Sequence, residues 1–210
     1  MEQTGKLHIL FPDEDTKTCL VLIDSLPECT EAGVERLLGQ LPQWRRDVAL
    51  RYKHLTGQRE SALGYLALCR ALREAFGIEE QPHFSYGEHE KPFLQEYPHI
   101  HFSISHCKEA VGCIVSLRPC GLDVERIRTA QPALVAHTMN EEEQRAIAEA
   151  AVPEVAFTSL WTRKEAVLKL KGTGVAADLQ KALMPTEMAG ISVRTVVKDA
   201  YVYSFCGAEG

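Results

Sequence analysis

Two short segments of this chain hold side chains whose type and spacing suit phosphate chemistry. Gly121-Leu122-Asp123-Val124-Glu125 places two carboxylates two residues apart. Trp161-Thr162-Arg163-Lys164-Glu165-Ala166-Val167-Leu168-Lys169 places a carboxylate and an ammonium four residues apart, and Gly172-Thr173-Gly174 follows. On a strand, residues i and i+2 share a face, so Asp123 and Glu125 point one way while Leu122 and Val124 point the other. Carboxylates on one face repel unless something positive lies between them. Magnesium suits that place, because it prefers oxygen ligands, keeps waters and bridges to phosphate oxygens. On a helix, Glu165 and Lys169 lie one turn apart on one side. Lys164, Lys169 and Lys171 add positive charge near the helix end, and the glycines allow a phosphate to approach the backbone closely. Taken singly, each segment has a plainer account: an exposed acidic strand face, and a surface ion pair beside a core tryptophan.

Further residues can meet an anion. Ser105-His106 closes a strand, where a histidine can bind phosphate or serve as a neutral structural donor. Lys91-Pro92 lies in the loop before it. Between Arg45 and Arg59, the bases Arg45, Arg46, Arg51, Lys53 and Arg59 face one acid, Asp47. As with most helical bases, solvated surface is the plainer reading.

Strands are predicted at Leu7 to Phe11 and Thr18 to Ile23, joined by Pro12-Asp13-Glu14-Asp15. Helices are predicted over Glu31 to Leu38, from Pro42 or Gln43 to about His54, and from about Gln58 to Phe76, stopping at Gly77. Gln81 to Pro98 reads as a loop with a short strand at Phe84 to Tyr86. Ile100, Phe102 and Ile104 then alternate with His101, Ser103 and Ser105, a period of two. Val111 to Leu117 completes a hairpin, and Gly121 to Ile127 is a third strand. Asn140 can cap a helix whose first turn holds Glu141, Glu142 and Glu143. Pro153 opens the next helix, which runs to about Lys171. Strands near Ile191 to Val197 and Tyr201 to Phe205 finish the chain. The expectation is an α+β protein of two similar halves, 1–116 and 117–210, each a small, mostly antiparallel sheet on a long helix.

The order of the pieces says more than any one. Lys91-Pro92, Ser105-His106, Gly121-x-Asp123-x-Glu125 and Trp161-x-x-Lys164-Glu165-Ala166-x-x-Lys169 together resemble the 4′-phosphopantetheinyl transferases. The length and two-half plan are similar to the surfactin-type (Sfp-type) class. The resemblance implies a monomer with a pseudo-twofold between its halves. It implies transfer of the phosphopantetheine arm of coenzyme A to a serine of an apo carrier protein, releasing adenosine 3′,5′-bisphosphate. It implies a magnesium site at Asp123, Glu125 and Glu165, with Glu165 the first choice for the base and Glu125 the second. Lys169 would hold the diphosphate. His106 and Lys91-Pro92 would contact coenzyme A, and Ser105 would position the nucleotide. Arg59 and Ser61 stand where the family often has an Arg-Thr step at the 3′-phosphate, but Glu60 intrudes. Arg51 is a second phosphate contact.

Composition bounds the alternatives. The 210 residues are 45% hydrophobic and 25% charged, as in an ordinary globular protein. A net charge of -6 argues against a broad nucleic-acid surface. No apolar run reaches the ~18 residues of a membrane span. The first residues lack the basic and apolar regions of a signal peptide. The seven cysteines are scattered and form no Cys-x-x-Cys pair, which suits a reduced cytoplasmic protein rather than a zinc site. Thr129 to Met139, with Leu134, Val135 and Met139, is expected either to dock the carrier or to join the core. Two other activities use similar residues: a magnesium-dependent nucleotide or diphosphate hydrolase, and a non-catalytic coenzyme A-binding protein. The first would carry a denser acidic helix such as Arg-Glu-x-x-Glu-Glu, and the second would have broken the carboxylate set. The chain shows neither feature.

Overall fold

A computed structural model describes residues 5–86, 91–173 and 178–209, so the expectation for Gly174 lies outside the described residues. The first sheet holds β1 (Lys6–Asp13), β2 (Thr18–Asp24), β5 (His101–His106) and β6 (Val111–Ser116), in the order β1-β2-β6-β5. The second holds β7 (Cys120–Arg126), β8 (Ile191–Val197) and β9 (Tyr201–Ala208), in the order β7-β9-β8. A small hairpin joins β3 (Phe84–Tyr86) to β4 (Pro92–Leu94). Every strand pairing among the described residues is antiparallel. The helices are α1 (Glu31–Leu38), α2 (Gln43–Leu50), α3 (Leu55–Phe76), α4 (Pro132–Thr138), α5 (Glu141–Glu149) and α6 (Pro153–Lys171).

The side-chain pattern stacks these elements in four layers: α3, first sheet, second sheet, α6. β2 is buried along its whole length because it has a neighbour on both sides. Its Cys19, Val21 and Ile23 face Leu63, Leu68 and Leu72 of α3. Its Leu20 and Leu22 face Leu122 and Val124 of β7 and Tyr203 of β9. Burying each such side chain is worth about 1.5–3 kcal/mol, so the seam between the sheets is a major source of stability. Each half is thus an antiparallel sheet on a long helix, as expected for an α+β chain.

Glycines stop both long helices: Gly77 and Gly172 sit at φ 69° and 70°, a left-handed turn that costs glycine little. Asn140 and Glu143 form a reciprocal cap at the start of α5.

Three features differ from the sequence expectation. α2 ends at Leu50 rather than near His54, and α3 starts at Leu55. The turn between them folds Tyr52 back over α3, where a Cβ on Gly57 would stand 2.8 Å from the Tyr52 ring, and Gln58 donates to the Tyr52 carbonyl at 2.9 Å. Neither proline nor glycine marks that turn at residues 51–54, so helix periodicity ran through it. β4 was hidden because three residues are too few to show a period. α4 was hidden because it is only two turns long, with Pro132 at its first position.

Candidate active site

The site begins with Gly121. A Cβ there would lie 2.0 Å from the Ala166 carbonyl oxygen and 2.8 Å from the Leu170 nitrogen. Only glycine lets the α6 backbone rest directly on β7. Asp123 and Glu125 follow on that same face of the strand, beside the α6 turn that carries Glu165 and Lys169.

Ser105 joins the two sheets at this point. As an edge strand, β7 would leave inward N–H groups without ladder partners. β5 satisfies them with hydroxyls: Leu122 N–H donates to Ser103 Oγ and Val124 N–H to Ser105 Oγ, both at 3.1 Å. Ser105 Oγ then donates to Asp123 Oδ1 at 2.9 Å. Lys169 Nζ donates to the same Asp123 oxygen at 2.7 Å and to Ser105 Oγ at 3.0 Å. Asp123 is 3% exposed, and its second oxygen, Oδ2, is buried without a partner among the described residues.

The glutamates are less engaged. Trp161 Nε1–H donates to Glu125 Oε1 at 3.2 Å, so the tryptophan orients a carboxylate rather than only filling the core. Glu165 accepts no hydrogen bond among the described residues. Burial raises both Glu125 and Glu165 above the ordinary glutamate value, and the neighbouring Asp123 charge adds to the effect in each. Lys169 partly offsets it.

Three carboxylates meet one ammonium here, with Arg128 as a further attraction at Glu125, so negative charge is in excess. A buried carboxylate oxygen without a partner is a costly group to leave alone. Both facts fit a hard, oxygen-preferring cation held by Asp123, Glu125 and Glu165. Among the described residues no three such groups are already drawn together at metal-binding distance. Lys169 instead supplies the positive charge at Asp123.

The remaining expected residues are placed around this centre. His106 shares the β5 face of Phe102 and Ile104, which α3 covers, so its Nδ1 lies 3.2 Å from Glu60 Oε2. Lys91 Nζ donates to the Leu170 carbonyl at 3.0 Å, capping the end of α6, and burial pushes its ammonium below the ordinary value. Pro92 opens β4 against β3. Arg59 is buried and donates to the Pro27 carbonyl at 2.9 Å and the Lys108 carbonyl at 3.5 Å. Ser61 Oγ accepts from Arg45 Nη2 at 3.0 Å, and Arg45 lies over the Tyr65 and Phe84 rings. Arg51 is exposed at the end of α2. The structure therefore gathers Ser105, Asp123, Glu125, Glu165 and Lys169. It turns His106 toward Glu60, Lys91 toward the end of α6, and Arg59 and Ser61 toward protein partners.

Two readings change. Lys164 does not add charge to a phosphate site: it is fully buried and bonds Glu143 Oε2 at 2.6 Å, the Leu179 carbonyl at 2.7 Å and the Thr138 carbonyl at 3.1 Å. Helical spacing puts it on the side of α6 away from Glu165's neighbours on β7. Met139 is fully buried with Ile147 and Phe157, and Leu134 and Val135 pack on that cluster, so these residues are core. The exposed side of α4 is Pro132, Ala133, Ala136 and His137.

Comparison with known proteins bears on the same segment. The pattern of the 4′-phosphopantetheinyl transferase superfamily matches residues 119–207. The 4′-phosphopantetheinyl transferase psf-1 of Bacillus pumilus is 29% identical over 138 residues, 64% of this chain and 59% of that protein. The 4′-phosphopantetheinyl transferase gsp of Aneurinibacillus migulanus is 32% identical over 134 residues, 62% of this chain and 56% of that protein. The 4′-phosphopantetheinyl transferase Sfp of Bacillus subtilis strain 168 is 24% identical over 148 residues, 69% of this chain and 66% of that protein. The chain thus spans about three fifths of the length of these curated relatives. The matched stretch carries Gly121, Asp123, Glu125, Glu165 and Lys169 on the two elements that Gly121 brings together, so the likeness of this chain to the 4′-phosphopantetheinyl transferase superfamily and its Sfp-type members falls on the site itself.

Proposed function

We propose that this protein transfers the 4′-phosphopantetheine arm of coenzyme A to a serine of an apo carrier protein, with magnesium as cofactor. The observation that carries the reading is the cluster of Asp123, Glu125 and Glu165 around a single ammonium, Lys169, at the matched β7–α6 contact.

Asp123, Glu125 and Glu165 would hold the magnesium, whose charge would offset that developing on the diphosphate. Lys169, already turned into the site by Asp123 and Ser105, holds the diphosphate from the protein side. Glu165 takes the serine proton. It suits that role better than Glu125 because no hydrogen bond among the described residues restrains it, and its burial favours the protonated product of the transfer. The serine oxygen bonds to the phosphorus that carries pantetheine. The bond from that phosphorus to the nucleotide-side bridging oxygen breaks, and adenosine 3′,5′-bisphosphate leaves. Ser105 keeps Asp123 and Lys169 in place throughout. His106 and Lys91-Pro92 would contact coenzyme A from the first half. Arg51, Arg59 and Ser61 are the candidate 3′-phosphate contacts.

We propose a division at 116/117 and a monomer whose halves are related by a pseudo-twofold, a reading supported by the split of the strands between two sheets. A reduced, cytoplasmic setting suits seven free cysteines. Burial pushes Cys19 up to about 11, and Cys107, Cys120 and Cys206 up to about 12, so these thiols are poor nucleophiles. No described helix is long and apolar enough to cross a membrane.

Release of adenosine 3′,5′-bisphosphate, measured with and without apo carrier, tests the reading. Release that needs the carrier supports transfer. Equal release in its absence supports a hydrolase.

A further inference from the structure

Glu60 is the residue of α3 that least fits a phosphate site, and it is also the one that touches His106. Its carboxylate lies 3.2 Å from His106 Nδ1, with the Glu60 side chain 14% exposed and that of His106 42% exposed. One residue earlier, Arg59 reaches the carbonyl of Lys108 at 3.5 Å. Two successive residues of α3 therefore hold the turn that leaves β5, Glu60 by a side chain and Arg59 by the backbone. On the far side of that turn Glu109 pairs with Arg126 at 3.3 Å, which ties it to β7.

An imidazolium has two N–H donors on opposite edges of the ring. With Nδ1 beside the Glu60 carboxylate as an ion pair, the edge bearing Nε2 is the one turned away from Glu60. We propose that Glu60 is a positioning residue for coenzyme A: it fixes the His106 ring so that Nε2–H is presented to a phosphate oxygen. This rests on the reading of His106 as a coenzyme A contact. Glu60 touches neither the reacting atoms nor Asp123, Glu125 or Glu165, so its effect falls on donor binding rather than on the chemical step.

The test is steady-state kinetics in coenzyme A, together with titration calorimetry using adenosine 3′,5′-bisphosphate as the probe. The variants are Glu60→Ala, Glu60→Gln, His106→Ala and the double variant. Loss of the ion pair that holds the ring predicts that Glu60→Ala raises KM and the probe's Kd about fivefold, with kcat within about twofold. Glu60→Gln, which keeps the shape of the side chain and an oxygen beside Nδ1 but not the charge, holds the loss to within about threefold. In the His106→Ala background Glu60→Ala has no further effect, as a residue acting through His106 requires. Thermal unfolding monitors the fold of each variant. If Glu60→Ala does not fold, Glu60→Asp, which draws the carboxylate back, replaces it with a smaller shift in the same direction. Wild-type binding left unchanged in the Glu60 variants, or an equal loss with and without His106, overturns the inference alone. Wild-type protein that neither binds the probe nor transfers overturns the underlying reading, and the inference with it.

Discussion

Asp123 is the most constrained side chain of the site, with one oxygen shared between a hydroxyl and an ammonium and the other buried without a partner among the described residues. Glu165 is the least constrained, and that difference separates their roles. Glu165→Gln removes a proton acceptor while leaving the backbone of α6 untouched, so turnover is expected to fall at least ~100-fold, the usual worth of a positioned base. Coenzyme A binding and the thermal midpoint should stay near wild type. Near-normal turnover in that variant contradicts the base assignment. Asp123→Asn keeps the size of the side chain and loses its charge, so saturation should need more magnesium; an unchanged magnesium titration removes Asp123 from the ligand set. Spacing made two pairs legible in the sequence, Asp123 with Glu125 and Glu165 with Lys169, while only the family resemblance implied that the pairs and Ser105 share one site. The hydrogen bond from Trp161 to Glu125 was not legible, because it crosses from a helix to a strand. The partners of Arg59 and Ser61 were hidden for the same reason: they lie on elements distant in the chain.

At the scale of elements, Gly121 and Lys164 hold α6 from opposite sides. Gly121→Ala puts a methyl group into the helix backbone at Ala166, where no side chain can move aside. Strand and helix must separate, so both stability and activity should drop; an active, wild-type-stable Gly121→Ala protein contradicts the close contact. Lys164→Met removes one partner of a buried pair, which costs about 3 kcal/mol and is read directly by denaturant unfolding. The sequence placed Lys164 on the right helix, but its charge suggested solvent or phosphate. Burial of an ammonium shows only when Glu143, Thr138 and Leu179 converge on it. Most strands and both long helices were legible, since their periods are long enough to read. The turn at residues 51–54 and the helix α4 were not, because one lacks breakers and the other lacks length.

At the scale of the molecule, the two halves meet along the apolar seam, at the Ser103 and Ser105 hydroxyls, and at a further polar clasp around Asp24. Asp24 on β2 accepts from Tyr201 on β9 at 2.7 Å and pairs with His8 on β1 at 2.9 Å. Burial alone would raise this carboxyl, but the bonds from Tyr201 and His8 outweigh it and hold it below its ordinary value. A carboxylate depressed in the folded state stabilises the fold above its unfolded pKa, about 4, and that stability is lost as pH falls through the folded value. Asp24→Asn should therefore be less stable than wild type at neutral pH, and the gap should narrow below about pH 4. A gap independent of pH contradicts the clasp. The pairing of the halves was legible only as a repeated pattern of strands and a long helix; serine hydroxyls satisfying an edge strand leave no periodic trace.

The most direct measurement is the intact mass of apo carrier proteins after incubation with this protein, coenzyme A and magnesium. The account predicts a gain of one phosphopantetheine on a carrier serine, abolished by a chelator and by Glu165→Gln. An unmodified carrier, with coenzyme A hydrolysed or merely bound, contradicts it.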